Sequence, residues 1–210
     1  MARSLFARDE SRQRFGAAVQ AVESRSCAEV VVAIRPWSAS WAGPDCTMGA
    51  VVAYLALLYT LYAPQIFGLL WIALMVPAAF GVGFFLSRLL PPLRMALAGA
   101  TGVGAAVRQG ARACFMELGV SATRERSGIL VYVSLAERRC VVVPDVGVLA
   151  HVPESDWNRA VNAIESTVST HGIGAPGLAA LCTAVEALGD VLEAPMPRRE
   201  DDINELEDVA

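Results

Sequence analysis

The sequence predicts an α/β fold: a small mixed sheet with helices on both faces (an α/β/α sandwich), interrupted by a two-helix transmembrane hairpin. Three observations predict it. Three short apolar runs rich in β-branched residues, at 29–35, 127–134 and 139–144, have the length and composition of buried strands. Amphipathic stretches of helical period flank them. From Cys46 to Ser87, 42 consecutive residues carry no Asp, Glu, Lys, Arg or His, bounded by Asp45 and Arg88. As one helix that run would measure about 63 Å, against roughly 30 Å of hydrocarbon, so a single span does not fit.

The elements follow in order. Arg8–Glu23 reads as a helix with Phe15, Val19 and Val22 on one face. Glu29–Arg35 is the first strand, and Pro36 ends it. Pro64 falls near the middle of the uncharged run and divides it into spans of about 48–62 and 66–86, joined by a very short turn. Trp41 or Tyr62 suits an interface, and Pro77, Gly81 and Gly83 suit a kink or close packing. Val103, Val107, Ala111, Phe115 and Leu118 stand at helical spacing, with Gly119 as the stop. Ser127–Ser134 and Arg139–Pro144 form a hairpin across the linker Leu135–Arg138, which places Arg126 and Arg139 together at its open end. Ser155 caps a helix whose buried face is Trp157, Val161, Ile164 and Val168, closed by His171-Gly172-Ile173-Gly174. Pro176 opens a last helix lined by Leu178, Leu181, Val185, Leu188 and Leu192, which Pro195 and Pro197 end. One soluble domain is thus expected from 1–35 and 103–197, with 36–102 as the inserted membrane hairpin and its flanks, and 198–210 as an acidic tail. The tail reads as solvated, or as contacting the arginine-rich stretch or a cation; Ile203 and Leu206 suggest that part of it docks.

Composition excludes several function classes. All 17 basic residues are Arg, so lysine catalysis, a Schiff-base lysine and a Walker lysine are ruled out. The net charge of −4 argues against nucleic acid as a partner. The first 25 residues carry Arg3, Arg8, Asp9, Glu10, Arg12 and Arg14 with no apolar stretch, unlike a signal peptide. Five cysteines, none at C-x-x-C spacing, and His151 and His171 twenty positions apart give no zinc pattern. No cysteine has an arginine six positions on, and no serine sits in a G-x-S-x-G elbow, although Ser127 and Ser134 flank a strand. Residues 88–112 hold Arg88, Arg94, Arg108 and Arg112 and no acid. By the positive-inside rule this puts the soluble part on the cytoplasmic side of an inner or plasma membrane, with the lipid bilayer itself as one partner.

The residues Thr123–Arg139, T-R-E-R-S-G-I-L-V-Y-V-S-L-A-E-R-R, resemble the membrane-bound, bacterial-type branch of the TPM-domain family, named for thylakoid lumen and photosystem II repair proteins and a nematode channel modulator. The second strand's exit at Cys140–Asp145 resembles it too. So do the helix with Trp157, the G-x-x-G-L element at Gly174, Gly177 and Leu178, the opening Ala28-Glu29-Val30-Val31, and the tail Asp201–Leu206. The resemblance implies an α/β/α sandwich without an agreed activity. Relatives act in assembly or repair of membrane complexes, bind calcium, or are weak acid phosphatases. The soluble relatives often have an Asn-rich entry to the second strand, where this chain has Arg-Glu-Arg-Ser.

The expected function is accordingly a membrane-anchored interaction or assembly module with a membrane-protein partner. The alternative is a weak or metal-dependent phosphatase. No catalytic residue is identified. Arg124, Arg126, Arg138 and Arg139 are the candidates for gripping an anion, with ion pairs to Glu125 and Glu137 as their other use. Glu137, Asp145, Glu154 and Asp156, with Glu125 nearby, are the candidates for Ca²⁺ or another divalent cation, because a hard cation needs clustered carboxylates; ordinary capping is the alternative.

Overall fold

The structure is a computed structural model, and it describes residues 9–38, 42–199, 206, 208 and 209. The chain is mixed α/β and divides into two compact units, Met1–Ser38 with Val107–Ala210, and Ala39–Ala106. Trp41, Asp201, Asp202 and Ile203 lie outside the described residues.

The first unit is built on three strands, β1 (Glu29–Arg35), β2 (Gly128–Ser134) and β3 (Arg139–Pro144), in the order β1-β2-β3. β1 and β2 run parallel, from Glu29 opposite Gly128 to Arg35 opposite Ser134. β2 and β3 run antiparallel, from Ile129 opposite Pro144 to Ser134 opposite Arg139. β2 is central and buried along its whole length, as its unbroken apolar sequence requires.

Alternate residues supply two cores. Val30, Val32, Ile129, Val131 and Val133 face α1 (Asp9–Glu23), α6 (Glu154–His171), α7 (Ala175–Glu186) and α8 (Leu188–Leu192). Phe15, Val19, Ile164, Leu181 and Leu188 fill that side. Val31, Ala33, Leu130 and Tyr132 face the C-terminal part of α4 (Pro91–Glu117), through Val107, Ala111, Cys114 and Phe115. Gly99, at φ 68° and ψ 163°, breaks α4 near its start. Gly119, at φ 66°, ends the segment, and a 3-10 turn at Val120–Ala122 leads to β2.

Both sheet edges are covered. The Val32 N–H donates to the Asp208 carbonyl at 2.9 Å, and Val209 bridges to Val32 in parallel, while Leu206 packs on the second core. On the other edge the Val142 N–H donates to Glu165 Oε1 at 3.0 Å. The described part of the tail is therefore docked on the sheet and belongs to the first unit.

Several boundaries differ from the sequence reading. The α6 helix starts at Glu154 with Pro153 at the cap position, so Ser155 lies inside it and caps nothing. The Pro153 carbonyl accepts from the Asp156 and Trp157 N–H groups, which moves the cap two residues earlier. The last apolar helix is two, α7 and α8, divided at Ala187. A short helix not foreseen, α5 (Val146–His151), follows β3.

The second unit contains α2 (Ala42–Tyr62) and α3 (Leu69–Leu89), joined by residues 63–68. Placing span limits by charge starts α2 too late, because Pro44 is tolerated in a first turn and Asp45 is helical. The turn is also longer than Pro64 alone suggested. The two helices meet at small residues. A Cβ on Gly83 would stand 2.8 Å from the Met48 carbonyl and 2.9 Å from Val52, and one on Gly49 would meet the Phe80 ring. At the end where α2 begins and α3 finishes, buried Asp45 accepts a hydrogen bond from Ser87 Oγ and pairs with Arg88 at 3.4 Å, whose guanidinium lies 4.7 Å from the Phe84 ring centroid. Tyr54, Leu55, Leu61, Leu70, Trp71, Leu74, Val82 and Phe85 point outward. By length and composition, three helical stretches can cross a membrane: Ala42–Tyr62, Leu69–Leu89 and Ala175–Leu192. The third, formed by α7 and α8, buries Leu178, Leu181, Val185, Leu188 and Leu192 in the first unit's core.

Gly83→Leu is expected to destabilise the α2–α3 pair by about 1–3 kcal/mol through overpacking. Gly81→Leu, where a Cβ meets nothing within 4 Å, is expected to be neutral. Thermal unfolding in detergent compares the two.

Candidate functional site

Polar side chains gather at the two ends of the three-stranded sheet. The end formed by the last residues of β1 and β2 and by the Leu135–Arg138 turn is built around Glu137. This carboxylate is buried. It accepts hydrogen bonds from Ser134 Oγ and, at 3.3 Å, from the Ser38 N–H. The Leu135 and Ala136 N–H groups donate to the carbonyls of Arg35 and Pro36, each at 3.0 Å. Glu137 thus staples the turn to the segment leaving β1. A buried carboxylate is costly unless hydrogen-bonded, and here two donors converge on it.

Tyr132 and Cys114 lie beside this staple. Gly110 gives Tyr132 and Ser38 room: a Cβ there would stand 2.9 Å from the Tyr132 hydroxyl and 3.0 Å from the Ser38 carbonyl. Burial raises the pKa of the Tyr132 phenol, with nearby Ser38 acting in the opposite direction. Burial likewise raises the Cys114 thiol, and Arg35 partly offsets it. Ser38 Oγ is buried and, among the described residues, makes no hydrogen bond of ordinary geometry. Arg138 is exposed in the turn at φ 52°, and Arg139, opposite Ser134, is half-buried.

At the other end, Arg126 holds Asp145 with two parallel hydrogen bonds, Nε to Oδ2 at 2.8 Å and Nη2 to Oδ1 at 3.0 Å. Asp145 is also the N-cap of α5, accepting from the Val146 N–H at 2.7 Å. Arg126 adopts φ 56°, and its carbonyl accepts from the Gly147 N–H at 3.0 Å. Glu125 pairs with Arg199, and Thr123 Oγ1 accepts from the Ser127 N–H.

The eight candidates from the sequence therefore do not form one site. Arg124, Arg126 and Asp145 stand at one end, and Glu137, Arg138 and Arg139 at the other. Glu154 and Asp156 lie on the first turn of α6, where Asp156 pairs with Arg159 at 3.3 Å. Among the described residues no group of three or more His, Cys, Asp or Glu is placed to hold a metal. The expected meeting of Arg126 and Arg139 is corrected: Arg139 begins β3 beside the turn, whereas Arg126 precedes β2, a strand's length of roughly 20 Å away. The partner of Arg126 is Asp145, not Glu125, and Glu137 accepts from Ser134 and Ser38. Sequence reasoning missed Ser38, Tyr132 and Arg35, because only the parallel pairing brings the end of β1 beside the β2–β3 turn.

None of the five cysteines forms a disulfide: Cys114, Cys140 and Cys182 are buried, Cys27 is half-buried and Cys46 is exposed. Burial raises the Cys140 thiol and pushes Cys182 up to about 11. His151 Nδ1 contacts the Gly147 carbonyl at 2.7 Å, and His171 ends α6, so both histidines are helix-end residues.

Asp145→Ala, which removes both a cap and the arginine's partner, is expected to cost about 1–2 kcal/mol, whereas exposed Glu154→Ala is expected to stay within about 0.5 kcal/mol. Chemical denaturation measures both. A raised thiol pKa means that the folded chain keeps a proton that the unfolded chain releases. Stability from Cys182 is therefore intact below the unfolded value of about 8.5 and falls as pH rises towards about 11, with a slope of up to about 1.4 kcal/mol per pH unit. Melting curves across that window are expected to slope downward, and less so in Cys182→Ala.

No protein-family model and no curated protein matches the chain. Among solved structures it is similar to the NMR structure of the BA42 protein from the psychrophilic bacterium Bizionia argentinensis, with 17% identity, 96% of this chain and 91% of that one covered, and a TM-score of 0.55. At that identity the likeness shows an α/β fold in common and nothing of activity.

Proposed function

We propose that this chain is a membrane-anchored α/β module of the TPM-like kind, held in an inner or plasma membrane by α2 and α3. Its sheet unit lies on the cytoplasmic side, where it binds a membrane-protein partner in assembling or maintaining a complex. The observation that carries the anchoring is the pair of consecutive 21-residue helices, apolar outward and closely packed inward through Gly49 and Gly83. Each is about 31 Å long, enough for the hydrocarbon core. The ionic group Asp45–Ser87–Arg88 sits at the end where the chain enters α2 and leaves α3, which suits a headgroup boundary. The side of the membrane follows from the acid-free arginines at 88, 94, 108 and 112.

The interaction reading is supported by α5. Val146 and Leu149, one turn apart, are both exposed on α5, whose first turn packs on the Glu125–Arg126 backbone at the sheet end opposite the staple. An exposed apolar pair suits a small contact surface.

Topology is tested with an impermeant maleimide. In intact cells Gln65→Cys, in the α2–α3 turn, is expected to label from outside, and Cys27 only after permeabilisation. The reverse pattern overturns the orientation, and extraction of the chain by alkali overturns the anchoring. A photocrosslinker at Leu149 is expected to capture a membrane protein that one at Asp190 does not; equal capture at both positions counts against α5 as the contact.

A further inference from the structure

We propose that the stapled end of the sheet, residues 35–38 with the Leu135–Arg138 turn and residues 107–112 of α4, is a recognition surface for anionic phospholipid headgroups. This rests on the anchoring reading and adds a ligand to it.

Connectivity sets the location. The chain leaves the first unit after Ser38 and rejoins it at Val107. Gly110 lies against Ser38, so exit and return are side by side at this end of the sheet. Among the described residues the exposed charges here are arginines. Arg138 is exposed at the tip of the turn, and Arg108 and Arg112 are exposed one turn apart on α4. Trp37, 66% exposed, sits between β1 and the departing chain, where an amphipathic indole belongs in an interfacial belt. The acid of this turn, Glu137, faces inward at 4% exposure and is held there by Ser134 and Ser38. From Cys46 to Met116 the only charged residues are Arg88, Arg94, Arg108 and Arg112.

The opposite end differs. There Arg126 is matched by Asp145 and Arg199 by Glu125, so these two arginines are paired within the fold. At the stapled end the fold has instead withdrawn the carboxylate and left guanidinium groups outward. Phosphodiester headgroups match that pattern, since guanidinium forks pair with phosphate oxygens and the indole needs an apolar–aqueous boundary. A protein partner would be expected to meet a larger apolar core than Trp37 alone provides.

The test uses the full chain in nanodiscs of phosphatidylcholine, with and without phosphatidylglycerol, and reads amide exchange at residues 36–38 and 135–139. Exchange is expected to slow by about fivefold per engaged arginine when the anionic lipid is present. The slowing should be weaker in Arg108→Lys/Arg138→Lys, which keeps the charge and loses the fork, and disappear in Arg108→Gln/Arg138→Gln and at high salt. Equal exchange in both lipids, with the chain incorporated in each, overturns this proposal alone. Slowing by millimolar inorganic phosphate in phosphatidylcholine discs overturns it in favour of a free-anion site. Failure to incorporate in either disc overturns the anchoring reading and this one with it.

Discussion

The parallel pairing of β1 with β2 is the constraint on which the rest of the molecule depends. Two parallel strands cannot be joined by a tight turn; the chain must travel back along the sheet before the second strand begins. The packed part of α4 makes that return, from Gly110 beside Tyr132 to the turn at Val120 beside Gly128. The apolar pair α2–α3 is therefore an insertion at the start of a strand–helix–strand crossover. Because the return path starts where β1 stops, the insertion's two connections emerge together. Glu137 then fixes the departing segment to the neighbouring turn, so the point of departure is held by the sheet itself.

The three buried carboxylates with well-defined partners follow one rule. Asp45, Glu137 and Asp145 are each buried and each hydrogen-bonded. Each also lies where an element begins or ends: the start of α2, the β2–β3 turn and the start of α5. Removing such a group from water is costly, and orphaning its partner more so. Carboxylates in these positions resist slippage of the elements they join.

Much of the fold was legible in sequence because its signals are local. Glu29–Arg35 and Arg139–Pro144 are read with their observed limits, since an apolar β-branched run between breakers has few other uses. Phe15, Val19 and Val22 mark the buried face of α1 by spacing alone. Boundaries set by a competing signal were less legible. Ser155 has the chemistry of a cap, but Pro153, with its fixed φ, starts the helix sooner. The candidate site was the least legible part. The hairpin read in sequence already sets Arg139 beside its turn and Arg126 opposite the exit of the second strand, so the meeting expected of the two arginines misplaced Arg139 along the hairpin. The role of Ser38 depends on which strand lies beside β1.

The insertion also imposes an order of events. A chain made from its N-terminus produces α1 and β1 first, then the whole of α2 and α3, and only afterwards the strand with which β1 pairs. In the proposed arrangement the anchor is already partitioning into lipid while β1, with its run Val30-Val31-Val32, has no sheet to join and both edges open. One of those edges waits longer still, for residues 208–209. Such a strand is a template for wrong pairings. In that arrangement the interval between anchoring and sheet closure leaves β1 open to aggregation.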